Sequence, residues 1–120
     1  MDVFMLILRI IFGGLFMFAG MMHIIKPKTF KHFTPPFLPL KATNYLAGIV
    51  EFGLGLGLLF SQIAKEAAIG VFMLMILFLP IHIWDVTKQR PAIGSKKMAI
   101  IRIPLQFLLM YLSYLIYINS

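Results

Sequence analysis

The sequence contains no cysteine. That excludes a disulfide framework, a CxxC redox pair, a thiolate nucleophile and a cysteine-ligated iron–sulfur cluster on this chain. Charge is also scarce: 12% of residues are charged, against about a quarter in soluble domains, and only four are acidic. With 61% hydrophobic residues and a mean hydropathy of +0.95, the 120 residues describe an integral membrane protein. A formal charge of +7 would point to nucleic acid in a soluble protein. Here the basic residues fall between apolar runs, where lysines fix orientation, and no basic patch with interleaved aromatics stands clear of the membrane, so no nucleic-acid partner is expected. A Gly-rich phosphate loop, a nucleophile elbow and a metalloprotease motif are absent too.

What remains is a series of apolar runs. They predict an all-α polytopic membrane protein, a four-helix transmembrane bundle forming one domain, with spans at about 3–25, 44–60, 67–84 and 98–118. The first run holds Arg9 and His23, lacks a basic leader region and a small-x-small cleavage site, and is read as an uncleaved span. The segment KPKTFKHFTPPFLPLKATN follows, rich in lysine, phenylalanine and proline, and suits a loop at the headgroup level. Its phenylalanines are too apolar to be left together in water, so Pro35 to Pro39 are expected to cover the mouth of the bundle. Thr43 or Asn44 can cap the second span, and Pro80 is expected to bend the third.

Four spans put the first and third loops on one side. Lys26, Lys28, Lys31, Lys41, Lys88, Arg90, Lys96 and Lys97 fall there, against Lys65 alone in the opposite loop. The positive-inside rule therefore predicts that both long loops are cytoplasmic and both termini outside.

One carboxylate, Glu51, lies inside the run YLAGIVEFGLGLGLLF. The ionised form costs at least about 2.5–3.5 kcal/mol at the centre of a membrane helix, so Glu51 needs a partner, a proton or a polar cavity. Gly48 and Gly55, at i−3 and i+4, share its helical face and let a neighbouring backbone approach. Counted at about 1.5 Å per residue from the cytoplasmic ends, His23 lies near the boundary, His82 slightly inside, Arg102 roughly 6 Å in, and Glu51 and Gln106 roughly 10–12 Å in. These five residues come from all four spans and reach one leaflet. They form the candidate ligand pocket: Glu51, Arg102, Gln106, His82 and His23, with a Glu51–Arg102 ion pair as the expected centre. The same residues can instead serve only to register the helices. No metal site is expected, since the two histidines and the carboxylate sit on separate helices without ligand spacing. Arg9, far from this group, is expected to snorkel outward or to meet Asp2's side of the membrane.

Arg9, the GMMH segment (Gly20 to His23), PPFLP (Pro35 to Pro39), YLAGIVE (Tyr45 to Glu51) with GLGLL after it, the Pro80–Ile81 turn and RIPLQ (Arg102 to Gln106) follow one another in an order and spacing that resembles the DoxX-like family of small four-helix membrane proteins. The resemblance spans nearly the whole chain. His82 departs from it, Asn or a similar residue being expected there. DoxX-type chains resemble the small membrane subunit of a thiosulfate:quinone oxidoreductase, with relatives linked to membrane thiol and oxidative-stress systems and a distant branch that looks like receptor-assembly chaperones. The resemblance implies a bacterial inner-membrane accessory subunit rather than a complete enzyme. It would have a membrane or soluble redox partner and no tightly bound cofactor, with a quinone or other small amphipathic molecule as ligand. The alternative is a scaffold or assembly factor without a ligand, whose glycine faces receive partner helices or a second copy. Without cysteine, any thiol chemistry would belong to the partner.

The lysine distribution predicts that a tag at either terminus reacts with a membrane-impermeant reagent in intact cells. Reaction only after permeabilisation would reverse the orientation.

Overall fold

A bilayer leaves no water for backbone groups, so an apolar chain must satisfy them within its own helices. The computed structural model describes residues 3–27, 34, 36–87 and 96–120. Four helices are present: α1 Val3–Ile25, α2 Leu40–Leu58, α3 Ala64–Val86 and α4 Lys96–Ile118. α1 keeps the bounds expected of it, and α3 and α4 are each slightly longer than expected. Both α3 and α4 continue through an internal proline, Pro80 and Pro104.

α2 departs further from expectation. It begins after Pro39, whose extended conformation (φ −66°, ψ 124°) makes it the N-cap, and the Thr43 amide already bonds back to the Pro39 carbonyl at 3.0 Å. Neither Thr43 nor Asn44 is therefore a cap. Asn44 lies in the second turn, where its side chain is available for tertiary contacts. α1, α3 and α4 are each long and apolar enough to cross a membrane, whereas α2, carrying Lys41, Asn44 and Glu51, does not reach that standard. Its place in the bundle depends on its neighbours.

The distribution of polarity is that of a membrane bundle. Phe4 is 62% and Leu77 67% exposed, while Arg9 is 6% and Glu51 5% exposed. Arg9 therefore does not snorkel outward, and Asp2 lies outside the described residues. The longest dimension, 44 Å, matches the roughly 40–45 Å of a bilayer with its headgroups.

Two antiparallel hairpins make up the bundle. α1 packs on α2 and α3 on α4; α2 and α3 join the pairs, and α1 scarcely meets α4. In the first hairpin the closest crossings are glycine on glycine. A methyl group built on Gly20 would lie 2.6 Å from the Gly48 carbonyl oxygen, and one on Gly55 would lie 2.6 Å from the Gly13 carbonyl oxygen. The seven-residue spacing within each helix puts both crossings on one seam. Between α2 and α3, Gly57 faces Ala67 and Gly70 faces Leu54. Gly14 and Gly53 face open space, so Gly53 and Gly57, an i,i+4 pair in sequence, serve different surroundings. Beyond the glycines, Phe12, Phe16, Leu58, Val71, Leu74 and Ile116 form the apolar core. Lys65 sits over the Tyr117 ring, 5.2 Å from its centroid, near the same end. Arg9 and Ser113 are buried in this half as well, and the opposite half buries Asn44, Glu51 and Asp85.

Gly20→Ala or Gly48→Ala should force the first hairpin apart and sharply lower folded yield in detergent. Gly14→Ala and Gly53→Ala, where the added methyl meets nothing, should be neutral or stabilising by about 0.5–1 kcal/mol through helix propensity. Size-exclusion profiles and SDS unfolding of the four variants measure the contrast.

Candidate functional site

Helical side chains tilt toward the N-terminus of their own helix. In an antiparallel pair, two side chains a few residues out of level can thus lean toward each other. His23, near the end of α1, leans into the bundle, and Glu51 of α2 leans back toward the loop end. Their meeting point is His23 Nε2 to Glu51 Oε2, 3.0 Å. Gly48 provides the room: a methyl group there would lie 3.0 Å from the Cβ of His23.

The other face of the imidazole is also held. His23 Nδ1 lies 2.8 Å from Asn44 Oδ1, while the Asn44 amide nitrogen donates to the Leu40 carbonyl at 2.7 Å and to Thr34 Oγ1 at 3.2 Å. Because those two acceptors fix the orientation of the amide, its oxygen faces the ring, and Nδ1 must carry a proton. Nε2 then either donates to an ionised Glu51 or accepts from a protonated one. The pair is neutral overall in both arrangements, and they differ only in the position of one proton. Glu51 Oε2 makes no hydrogen bond of good donor geometry among the described residues, so the imidazole is its charge contact.

The expected Glu51–Arg102 ion pair is therefore replaced by a His23–Glu51 pair. Two facts of geometry account for this. The glycine seam brings α1, not α4, against the face of α2 that carries Glu51, and the opposed tilts of the two side chains close the remaining distance. Arg102 shares a cavity with Glu51 without reaching it. That cavity, of about 310 Å³, is bounded by His23, Glu51, His82 and Arg102 among mainly apolar neighbours that include Ala19, Ala47, Phe78 and Ile81. All four helices contribute to its wall. The volume falls at the small end of the roughly 300–1,000 Å³ of ligand pockets.

Gln106 is the candidate that the structure sets apart. It is fully buried between α3 and α4, where Nε2 donates to the Met75 carbonyl at 2.8 Å and lies 3.4 Å from Met75 Sδ. The bond falls in the turn of α3 where Pro80 interrupts the backbone ladder. Gln106 Oε1 has no partner among the described residues. This residue fastens the second hairpin and does not line the cavity.

Sequence reasoning missed two groups. Asn44 was legible only as a cap, although its i−7 spacing from Glu51 puts it on the same helical face two turns away. Asp85, three residues after His82, is buried at the loop end of α3. Part of the proline loop can be placed as well. Thr34 and Leu38 line the cavity, and Pro36 and Phe37 face Pro80, Ile81 and Trp84 across a second hollow of about 400 Å³. Phe30, Phe33 and Pro35, on which the expected cover also depended, lie outside the described residues. Among the described residues no three His, Asp or Glu side chains gather as a metal site would require.

Residues 12–116, nearly the whole chain, match a domain of unknown function, DUF8561. The chain belongs to the DUF8561 family. No curated protein and no solved structure matches it at significant similarity. The family description carries no activity, so the reading of this DUF8561 protein rests on its cavity.

His23→Leu should cost about 3–5 kcal/mol of bundle stability before protonation of Glu51 relieves it, because it strands a buried carboxylate. Adding Glu51→Gln should recover most of that loss, whereas Arg102→Met and Glu51→Gln should simply add. SDS unfolding of the single and double variants measures both cycles, and additivity of the His23 and Glu51 losses would separate the pair.

Proposed function

We propose that this protein is a DoxX-like accessory subunit of a membrane redox system. It binds a quinone-like or other small amphipathic molecule in the cavity between its helices. The observation that supports this reading is the meeting of four ionisable side chains, one from each helix, in the wall of a single cavity whose other walls are mainly apolar. Ligand pockets have that composition: apolar surface for most of the ligand and a few convergent polar groups for its head. Ionisable residues inside a membrane bundle are expensive, and a ligand site is the default reason to keep them.

In this reading Arg102 and His82 donate to a ligand oxygen, and the His23–Glu51 pair supplies or takes a proton. Electron transfer belongs to a membrane or soluble partner. The subunit sits in a bacterial inner membrane with its termini outside and the cavity toward the cytoplasm, as the basic loops favour. A scaffold without a ligand is the second reading. It is favoured by Gln106, a buried polar residue whose contact serves only to fasten α4 to α3.

Trp84 is the only tryptophan and borders the hollow beside the cavity. Titration of the detergent-solubilised chain with a short-chain quinone should quench its fluorescence saturably. Ala47→Phe, which fills the cavity, should abolish the saturable part, and Gly53→Ala on the outer surface should not. Linear quenching, identical in wild type and Ala47→Phe, would favour the scaffold.

A further inference from the structure

The charge balance of the cavity constrains its ligand more narrowly than the shape does. His23 and Glu51 are neutral as a pair wherever the proton lies, since one gains what the other gives up. Arg102 is different. Its guanidinium keeps its charge in proteins, and it lines the same cavity half-buried.

The chain has only four acidic residues from which a counter-ion could come. Glu66 is in the first turn of α3, at the far end of the bundle, and Asp2 lies outside the described residues. Glu51 is engaged by His23. Asp85 is buried at the loop end of α3 and is not part of the cavity wall. Among the described residues no carboxylate lies within ion-pair distance of Arg102. Around the mouth, Lys26 and Lys41 flank the first loop and Lys96 and Lys97 open α4, adding positive potential. A neutral guest leaves the guanidinium uncompensated, whereas an anionic head removes that penalty and gains charge-assisted hydrogen bonds.

We infer that the cavity takes an anionic amphiphile: a carboxylate or phosphate oxyanion held by Arg102 with His82 beside it, carried on an apolar chain. This rests on the ligand-cavity reading above and narrows it from any small amphipathic molecule to an acid. The volume holds a headgroup and the start of a chain, so the rest of the chain must leave the cavity. The sparsely packed seam between α1 and α4 is its route. Ala19, Phe78 and Ile81 make the apolar wall along which the first carbons lie.

The test is equilibrium binding of labelled dodecanoate to the full chain in non-ionic detergent, with unlabelled dodecanol and inorganic phosphate as competitors. Dodecanoate should bind saturably. Dodecanol, with the same chain and no charge, should displace it about tenfold less well or worse, as the loss of a charged hydrogen bond requires. Arg102→Met should bring acid and alcohol level, and Arg102→Lys should keep part of the preference. The comparison in the wild-type protein needs no variant, so poor folding of Arg102→Met cannot decide the matter.

Equal displacement by acid and alcohol would overturn the anionic head while leaving an amphiphile cavity in place. So would saturable quinone binding with no binding of dodecanoate. Displacement by inorganic phosphate more readily than by dodecanol would overturn the amphiphile and leave a site for a free oxyanion. Absence of binding by dodecanoate, dodecanol and quinone alike would remove both this inference and the function on which it rests.

Discussion

A carboxylate placed in the middle of a membrane helix cannot be left to itself, and the loop-end half of this bundle is arranged around that requirement. Glu51 is met by an imidazole at 3.0 Å, and that contact depends on a chain of smaller features. Gly48 must lack a side chain for His23 to enter. Gly13, Gly20 and Gly55 must lack them for α1 to lie against α2 at all. Asn44 must be turned by Leu40 and Thr34 so that its oxygen faces the ring. Removing the carboxylate would leave much of this without purpose, whereas removing any support would leave a buried charge exposed to its full desolvation cost.

The bundle is divided along its length. Toward the α2–α3 turn the interior is chiefly phenylalanine, leucine, valine and alanine, with Arg9 and Ser113 also buried, and the helices close on one another. Toward the long loops the interior is ionisable and the helices enclose space. Dispersion and close packing hold the first half, where lipid offers no hydrophobic incentive for association. The second half has given up packing for a cavity, as functional sites commonly do. Since every helix contributes to the wall, the relative placement of the hairpins sets the shape of the site.

Much of this was legible in the residues. The helices follow from apolar length, and α1 keeps its expected bounds because Lys26 and Pro27 end it. The gathering of His23, Glu51, His82 and Arg102 followed from counting rise per residue. The partner of Glu51 did not, because depth is a coordinate of the backbone and takes no account of the tilt of side chains toward helix N-termini. Gln106 was grouped with Arg102 by depth, but residues at i and i+4 still differ by about 40° around the axis. That rotation is enough to turn one toward the cavity and the other toward Met75. Asn44 was misread because capping is a local rule, and the helix had already begun at Pro39.

The sparse contact between α1 and α4 bears on how such a protein is made. The principal polar contacts are answered within a hairpin: His23, Asn44 and Glu51 in the first, Gln106 and Met75 in the second. α2 is not among the three helices long and apolar enough to cross a membrane, but beside α1 its carboxylate already has a counterpart and its glycines a surface. Synthesis delivers the chain from its N-terminus, so α1 waits at the membrane when α2 emerges. Were the chain inserted two helices at a time, each pair would have its polar partners on arrival, and the cavity would form only when the second pair docked against the first.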